Sequence, residues 1–323
     1  MITVPPPSLQ TAKRYLALCG GVGGAKLALG LSHILDPEQL TIVVNTGDDF
    51  EHLGLTICPD IDTVSYTLAG LVQPTQGWGR DAESFAALDT VERLGGETWF
   101  RLGDKDIGLH LMRRMLLAEG LSLSTVTARI ARQLGIPHEI APMTDSAVRT
   151  MLVTTTGVVP FQHYFVKERC TPVVTSIKYS GADFAQASPA LIQALTNPSL
   201  AGIFICPSNP YLSIDPILAL PGIRQMLVDA HAPVIAVAPI VGCEAIKGPT
   251  AKIMRELGVD PSAASVAEHY ADFLDGYLVD AADSVAVADT LVISCNIVMK
   301  TLADKVALAR RCLAFSDVLA TRT

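Results

Sequence analysis

No apolar run in this 323-residue chain reaches the roughly 18 residues that a bilayer-spanning helix needs, because Gly, Pro or charge breaks every hydrophobic stretch. The seven cysteines stand singly with no CxxC pair, which argues against a disulfide framework and against the usual zinc-ligand spacing. Cations are scarce: 24 Lys and Arg against 32 Asp and Glu leave a net charge of −8, and no Lys/Arg run occurs. A nucleic-acid groove is therefore not expected. Met1 to Gln10 carry three consecutive prolines and no apolar h-region, and read as a disordered leader instead of a signal peptide. Together these absences predict a cytoplasmic protein without membrane or nucleic-acid partners. Core material is plentiful, since 50% hydrophobic content supports one large α/β domain or a core with an insertion.

The most informative stretch is Leu16 to Leu31, where an apolar run opens into four glycines and then into an amphipathic segment. Tyr15 to Cys19 has the content of a buried parallel strand, and Ala25 to Ile34 keeps Leu27, Leu31 and Ile34 at helical spacing. Gly20, Gly21, Gly23 and Gly24 lie at the junction, where backbone without Cβ atoms can turn sharply and bring N–H groups to an anion. A helix N-terminus suits a phosphate or diphosphate, and Lys26 adds a point charge. The spacing matches neither GxxxxGK[ST] nor GxGxxG. A Gly23→Val change is expected to obstruct the anion while leaving the fold intact.

Leu40 to Asp49 repeats this grammar: a β-branched run delivers Asn45, Thr46, Asp48 and Asp49 to the C-terminal end of a second strand, the edge at which open parallel sheets bind ligands. Asp60 and Asp62 follow, just before a helix read over Thr63 to Ala69. The four aspartates suggest a hard-cation site, with Mg²⁺ expected on Asp48, Asp49 and Asp62. The simpler reading makes Asp60 or Asp62 a helix cap.

From Gly70 to about Leu195 the strand-helix rhythm lapses. Phe85 to Leu94, Ile107 to Glu119 and Leu123 to Leu134 read as helices, and Thr150 to Thr156, Phe161 to Val166 and Val173 to Lys178 as a small antiparallel sheet. The connector around Arg101, Asp104, Lys105 and Asp106 reads equally as a solvated charged turn. The rhythm resumes with Ala201 to Cys206 before Pro-Ser-Asn-Pro, which brings Ser208 and Asn209, and with Pro233 to Gly242 before Glu244, Lys247, Gly248 and Pro249. The predicted architecture is α/β: a Rossmann-like, doubly wound, mostly parallel sheet built from residues 12–69 and 196–323, with a mainly helical insertion over 70–195.

Seven ordered blocks then carry a resemblance: Cys-Gly-Gly-Val-Gly-Gly-Ala-Lys, Val-Asn-Thr-Gly-Asp-Asp, Pro-Asp-Ile-Asp-Thr-Val, Arg-Leu-Gly-Asp-Lys-Asp, Pro-Met-Thr-Asp, Pro-Ser-Asn-Pro and Lys-Gly-Pro. From Leu16 to Asp283 the chain resembles the 2-phospholactate transferase family of deazaflavin (coenzyme F-420) biosynthesis. The resemblance implies transfer of a phospho-acid (2-phospholactate, phosphoenolpyruvate or 3-phosphoglycerate) from a guanosine-diphosphate-activated donor to the ribityl hydroxyl of the deazaflavin FO, with release of GMP. It also implies Mg²⁺ and a homodimer. Asp62 and Arg101 match positions at which the family contacts FO, although some relatives carry Lys at the latter. Gly20 to Gly24 with Ser208 and Asn209 match its nucleotide loops. Attack on phosphorus needs neutralised oxygens and in-line positioning, for which Lys26, the glycine amides and a carboxylate-held Mg²⁺ serve, with Asp62 or Asp49 accepting the ribityl proton. The insertion is expected to cover the deazaflavin with Trp78, Trp99 and Arg101, or else to bury Trp99 in its own core. Two rivals remain at this point. A non-catalytic nucleotide-sugar-binding regulator of the same fold would lack the Asp62 and Arg101 motifs, and an NAD-dependent dehydrogenase would need an acidic residue where Asn45 and Thr46 stand.

Overall fold

The computed structural model describes residues 12–242, 244–245 and 248–321; the leader read into Met1 to Gln10 and Lys247 of the Lys-Gly-Pro block lie outside the described residues. The strands β1 (Arg14–Cys19), β2 (Leu40–Val44), β3 (Glu139–Pro142), β4 (Leu200–Ile205), β5 (Val234–Val237), β6 (Gly276–Asp280) and β7 (Leu291–Cys295) join in one sheet. Its order is β7-β6-β5-β4-β1-β2-β3, and every neighbouring pair is parallel. Tyr15 to Cys19 in β1 are all buried, as an uninterrupted apolar strand covered on both faces requires. The chain adds β2 and β3 on one side of β1, then returns to its other side for β4 to β7. That reversal opens a crevice between β1 and β4 beyond their C-terminal ends, where a ligand site is expected.

Local chemistry sets the element boundaries nearest the crevice. The first helix, α1 (Gly21–Ser32), starts inside the glycine run and not at Ala25, with extended Gly20 before it and Gly21 at a φ of 51° that other residues rarely adopt. The second, α2 (Pro59–Leu68), begins ahead of the expected Thr63 because Pro59 supplies a ready-made first helical residue. Cys58 is its N-cap and makes no side-chain cap, so neither Asp60 nor Asp62 is a cap. Both are first-turn acids, placed favourably in the field of the helix N-terminus.

The stretch 70–195 departs from the expected continuous insertion. The helices α3 (Ala86–Arg93), α4 (Asp104–Ala118) and α5 (Leu123–Gln133) agree closely with the periodicity. After them the chain rejoins the main sheet as β3, with Thr41 opposite Glu139 and Val44 opposite Pro142, then leaves again for the small sheet. The short apolar run before Met143 is thus a core strand too brief to declare itself by pattern. In the small sheet Arg149–Thr154 lies between Gly157–Pro160 and Val174–Ser180, antiparallel to both. Phe161 to Val166, read as a strand, is helical and ends in a π-turn over His163–Lys167. A short aromatic-rich run does not by itself distinguish the two states. Among the described residues no helix is long and apolar enough to cross a membrane.

Candidate active site

A cavity of about 340 Å³ opens at the crevice between β1 and β4. Its size suits a small organic ligand. One end is built by the two loops that the strand reversal brings together. Gly20, Gly21, Gly23 and Lys26 line it from α1, with Pro207, Ser208 and Asn209 from the loop after β4. Ser208 pins the loops, its hydroxyl donating to the Gly20 carbonyl at 2.8 Å and accepting from the Gly20 N–H at 3.1 Å. Asn209 Oδ1 accepts from the N–H groups of Tyr211 and Leu212, while its buried Nδ2 has no partner among the described residues. Lys26 reaches the cavity wall, but its ammonium donates to the Met299 carbonyl at 3.0 Å.

The glycines divide by role. Gly24 does not line the cavity; a Cβ there would come within 2.9 Å of Ser208 Oγ and 3.2 Å of Cys19 Cβ. At Gly23 a Cβ would fall on the Pro207 carbonyl, far inside van der Waals contact. The expectation that Gly23→Val spares the fold is therefore corrected: backbone packs against backbone here, and a side chain must push the two loops apart. Even Gly23→Ala should lower the unfolding free energy by about 1–3 kcal/mol in urea titrations. An alanine variant of wild-type stability would show that the loops separate freely.

The aspartates part company as well. Asp48 and Asp60 line the cavity, whereas Asp49 does not. The turn closed by the Asp49 N–H on the Thr46 carbonyl, at 3.2 Å, separates the two neighbours. Asp60 Oδ2 accepts from Asn45 Nδ2 at 2.9 Å. Burial raises the Asp60 carboxyl to about 6, against the lowering effect of Asn45 and of the Gly21 N–H. Burial and the charge of Asp60 push Asp48 well up, and Asp48 Oδ1 has no partner among the described residues. Behind the wall, burial raises Asp49 to about 7, with Arg149 pulling the other way.

Asp62 does line the cavity, but it is already paired. Arg113 of α4 grips both its oxygens, Nη1 donating to Oδ2 at 3.1 Å and Nη2 donating to Oδ1. Arg113 Nη1 also donates to the Thr56 carbonyl at 3.2 Å. Burial works against its charge, and Asp62 outweighs that effect and holds it protonated. His110 Nδ1 lies 3.2 Å from Arg113 Nη1 and must accept, since a guanidinium only donates, so Nε2 carries the ring proton. Burial lowers His110 to about 4. The sequence reading missed Arg113 and His110. Their signal was present in α4, where Asp106, His110 and Arg113 share one helical face.

The expected metal trio of Asp48, Asp49 and Asp62 is thus not assembled, and among the described residues no three Asp, Glu, His or Cys side chains converge as a metal cluster. Arg113 takes the oxygens of Asp62, and Asp49 sits outside the lining. Asp48 and Asp60 remain, a buried pair of carboxylates with an orphaned oxygen, and this pair fits a hard cation.

The other end of the cavity is apolar and aromatic. Trp78, Phe100, Arg101 and Leu102 line it from the helical excursion, and Phe161 and Phe165 from the helical turn that joins Gly157–Pro160 to Val174–Ser180 within the small sheet. Arg101 is exposed and stacks on Phe85, Cζ 4.0 Å from the ring centroid. Trp99 is absent from the lining. Half-buried, it packs among Phe50, His52, Phe100 and His163, with the His163 ring centroid 4.5 Å away, so of its two expected places the packing within the excursion's own aromatic cluster is the one observed.

An all-parallel sheet with a ligand cavity at its strand reversal defines the class: a doubly wound α/β protein of the Rossmann-like type. Residues 16–301 match the family model described as 2-phospho-L-lactate transferase CofD, and the chain belongs to that family. It is accordingly a CofD-type transferase of F-420 biosynthesis. The chain is 38% identical over 315 residues to a phosphoenolpyruvate transferase of Streptomyces griseus, covering 94% of this chain and 98% of the relative. It is 37% identical over 264 residues to a 2-phospho-L-lactate transferase of Methanosarcina mazei, covering 82% and 86%. A solved structure of a UPF0052-family protein from Bacillus halodurans shares the fold, with a TM-score of 0.61 at 15% identity over 94% of this chain and 99% of that one.

Proposed function

We propose that the chain transfers a three-carbon phospho-acid from a guanosine-diphosphate-activated donor to the ribityl hydroxyl of FO. The hydroxyl oxygen forms a bond to the phosphorus bearing the acid, the diphosphate P–O–P bond breaks, GMP leaves with the bridging oxygen, and the hydroxyl proton is released to solvent. The observation that carries this reading is the two-ended cavity, in which a glycine turn and paired carboxylates face an aromatic compartment across one continuous space. The amides of Gly21 and its successors and the unpartnered Nδ2 of Asn209 would bind diphosphate oxygens. Asp48 and Asp60 would hold Mg²⁺, which when bound supplies neutralising charge to those oxygens. Asp62, whose two oxygens Arg113 already holds, would orient the acceptor instead of taking its proton. Arg101 would lie against the deazaflavin ring beside Phe85 and Trp78. The reading also includes the helical excursion as a cover over FO, a homodimer to be checked by sedimentation, and a cytoplasmic location.

Mass spectrometry of the product made from FO, GTP, a guanylyltransferase and each candidate acid tests the reaction and identifies the acid; no FO adduct with any of them overturns it. Arg101→Ala should raise KM for FO roughly tenfold and leave GDP affinity unchanged, as expected for a contact to one substrate. Parallel loss of GDP binding in calorimetry would place Arg101 elsewhere in the mechanism.

A further inference from the structure

Beyond Asp62 and Arg101, two neighbouring polar groups of the cavity wall act on each other and still keep polar capacity unused. Tyr66 is 1% exposed and lines the cavity; its hydroxyl makes no well-formed hydrogen bond among the described residues, but it lies beside the Asp106 carboxyl, which adds to burial in raising the phenol. Asp106 lines the same wall, with its Oδ1 likewise buried and without a well-formed hydrogen bond. The two come from different helices. Tyr66 stands one turn after Asp62 on α2, and Asp106 one turn before His110 on α4, so both belong to the helical faces that meet through the Asp62–Arg113 ion pair. Leaving such groups unsatisfied costs stability, and native proteins seldom do so without a ligand to complete them.

The chemistry of the pair is specific. A phenolic O–H donates, and a carboxylate oxygen only accepts. Side by side on a wall rich in aromatic rings, with Arg80 over the Tyr66 ring at 5.5 Å, they match a ligand edge that presents an acidic hydrogen next to an acceptor oxygen. The surrounding rings of Phe100, Phe161 and Trp78 favour a flat aromatic body behind that edge.

We propose that Tyr66 and Asp106 form a recognition subsite for the polar edge of the acceptor's ring system, Asp106 accepting an acidic ring hydrogen and Tyr66 donating to the adjacent oxygen. This rests on the deazaflavin reading above and deepens it by naming what selects the ring. Two parts of a hydroxylated deazaflavin carry this donor-acceptor pair, the cyclic imide and the phenolic hydroxyl. Neither Tyr66 nor Asp106 holds the phosphate end, so the subsite governs binding of the acceptor and not of the nucleotide.

Titration of FO fluorescence against the wild-type protein comes first, because absence of FO binding there would defeat the deazaflavin reading itself and not this assignment. With binding established, Tyr66→Phe and Asp106→Asn should each weaken FO by roughly tenfold, with GDP affinity and thermal midpoint close to wild type. Two FO analogues probe the unmodified protein: one methylated at the imide nitrogen and one lacking the phenolic hydroxyl. The analogue that loses roughly tenfold identifies the edge, and in Asp106→Asn its deficit should shrink. Equal affinity of both analogues and FO for the wild-type protein, or wild-type FO affinity in a folded Tyr66→Phe variant, overturns the subsite and leaves the two groups as partners of each other.

Discussion

An Asp48→Asn variant should lose most of its activity and be more stable than the wild type. Burial and neighbouring Asp60 raise the Asp48 carboxyl, and its Oδ1 has no partner among the described residues, so its charge opposes folding unless a ligand compensates it. The sign follows from linkage. A carboxyl whose folded pKa lies above its unfolded value contributes stability that is fully present below the unfolded value and lost as pH rises toward the folded one. Asn does not titrate, so the variant should match the wild type near the ordinary aspartate value of 3.8 and exceed it increasingly at higher pH, by roughly 1 kcal/mol in metal-free urea titrations. Turnover should fall on the order of a hundredfold to a thousandfold, the range for losing one preorganised electrostatic contact. Mg²⁺ should raise the wild-type unfolding midpoint and leave that of Asp48→Asn unmoved. Wild-type turnover in the variant, or an equal response of both proteins to Mg²⁺, would remove Asp48 from the site.

Arg113→Met should be the most damaging single change at the site, lowering unfolding free energy by about 3–5 kcal/mol, because it strands the buried Asp62 carboxylate without its partner. That is a large share of the roughly 5–15 kcal/mol available to a folded domain. Asp62→Asn should cost less, since the amide still accepts one hydrogen bond from the guanidinium. Pairing Arg113→Met with Asp62→Leu should recover part of the loss, as apolar replacements of buried ion pairs often do. A double-mutant cycle in urea should give a coupling of roughly 2 kcal/mol or more. A coupling near zero would mean that solvent reaches the pair. The practical consequence concerns Asp62: lost activity in an Asp62 variant reports on folding and on substrate together, so FO binding and urea stability have to be measured on the same sample.

Much of the architecture was legible from the sequence by itself. The strands at Tyr15 to Cys19, Leu40 to Val44, Leu200 to Ile205 and Gly276 to Asp280 are long apolar runs closed by Gly, Pro or Asp, and such local patterns determine both the state of a segment and the end at which its polar loop emerges. The order of those loops brought Gly20 to Gly23, Asp48, Ser208 and Asn209 to one edge, the family resemblance added Asp62 and Arg101, and all of them line one cavity. Tertiary structure alone decided what each polar group was free to do. Asp62 meets Arg113 across 51 positions of chain, and no local periodicity announces that pairing. Gly23 is glycine because the Pro207 carbonyl arrives from a strand far along the chain. Asp48 and Asp49 are chemically identical neighbours, and only the turn on Thr46 separates cavity wall from buried interior. β3 was missed for the same reason, since four residues become a strand only when β2 offers them an edge. Local sequence determines which shapes a segment can take, while the availability of a side chain depends on partners brought near by folding.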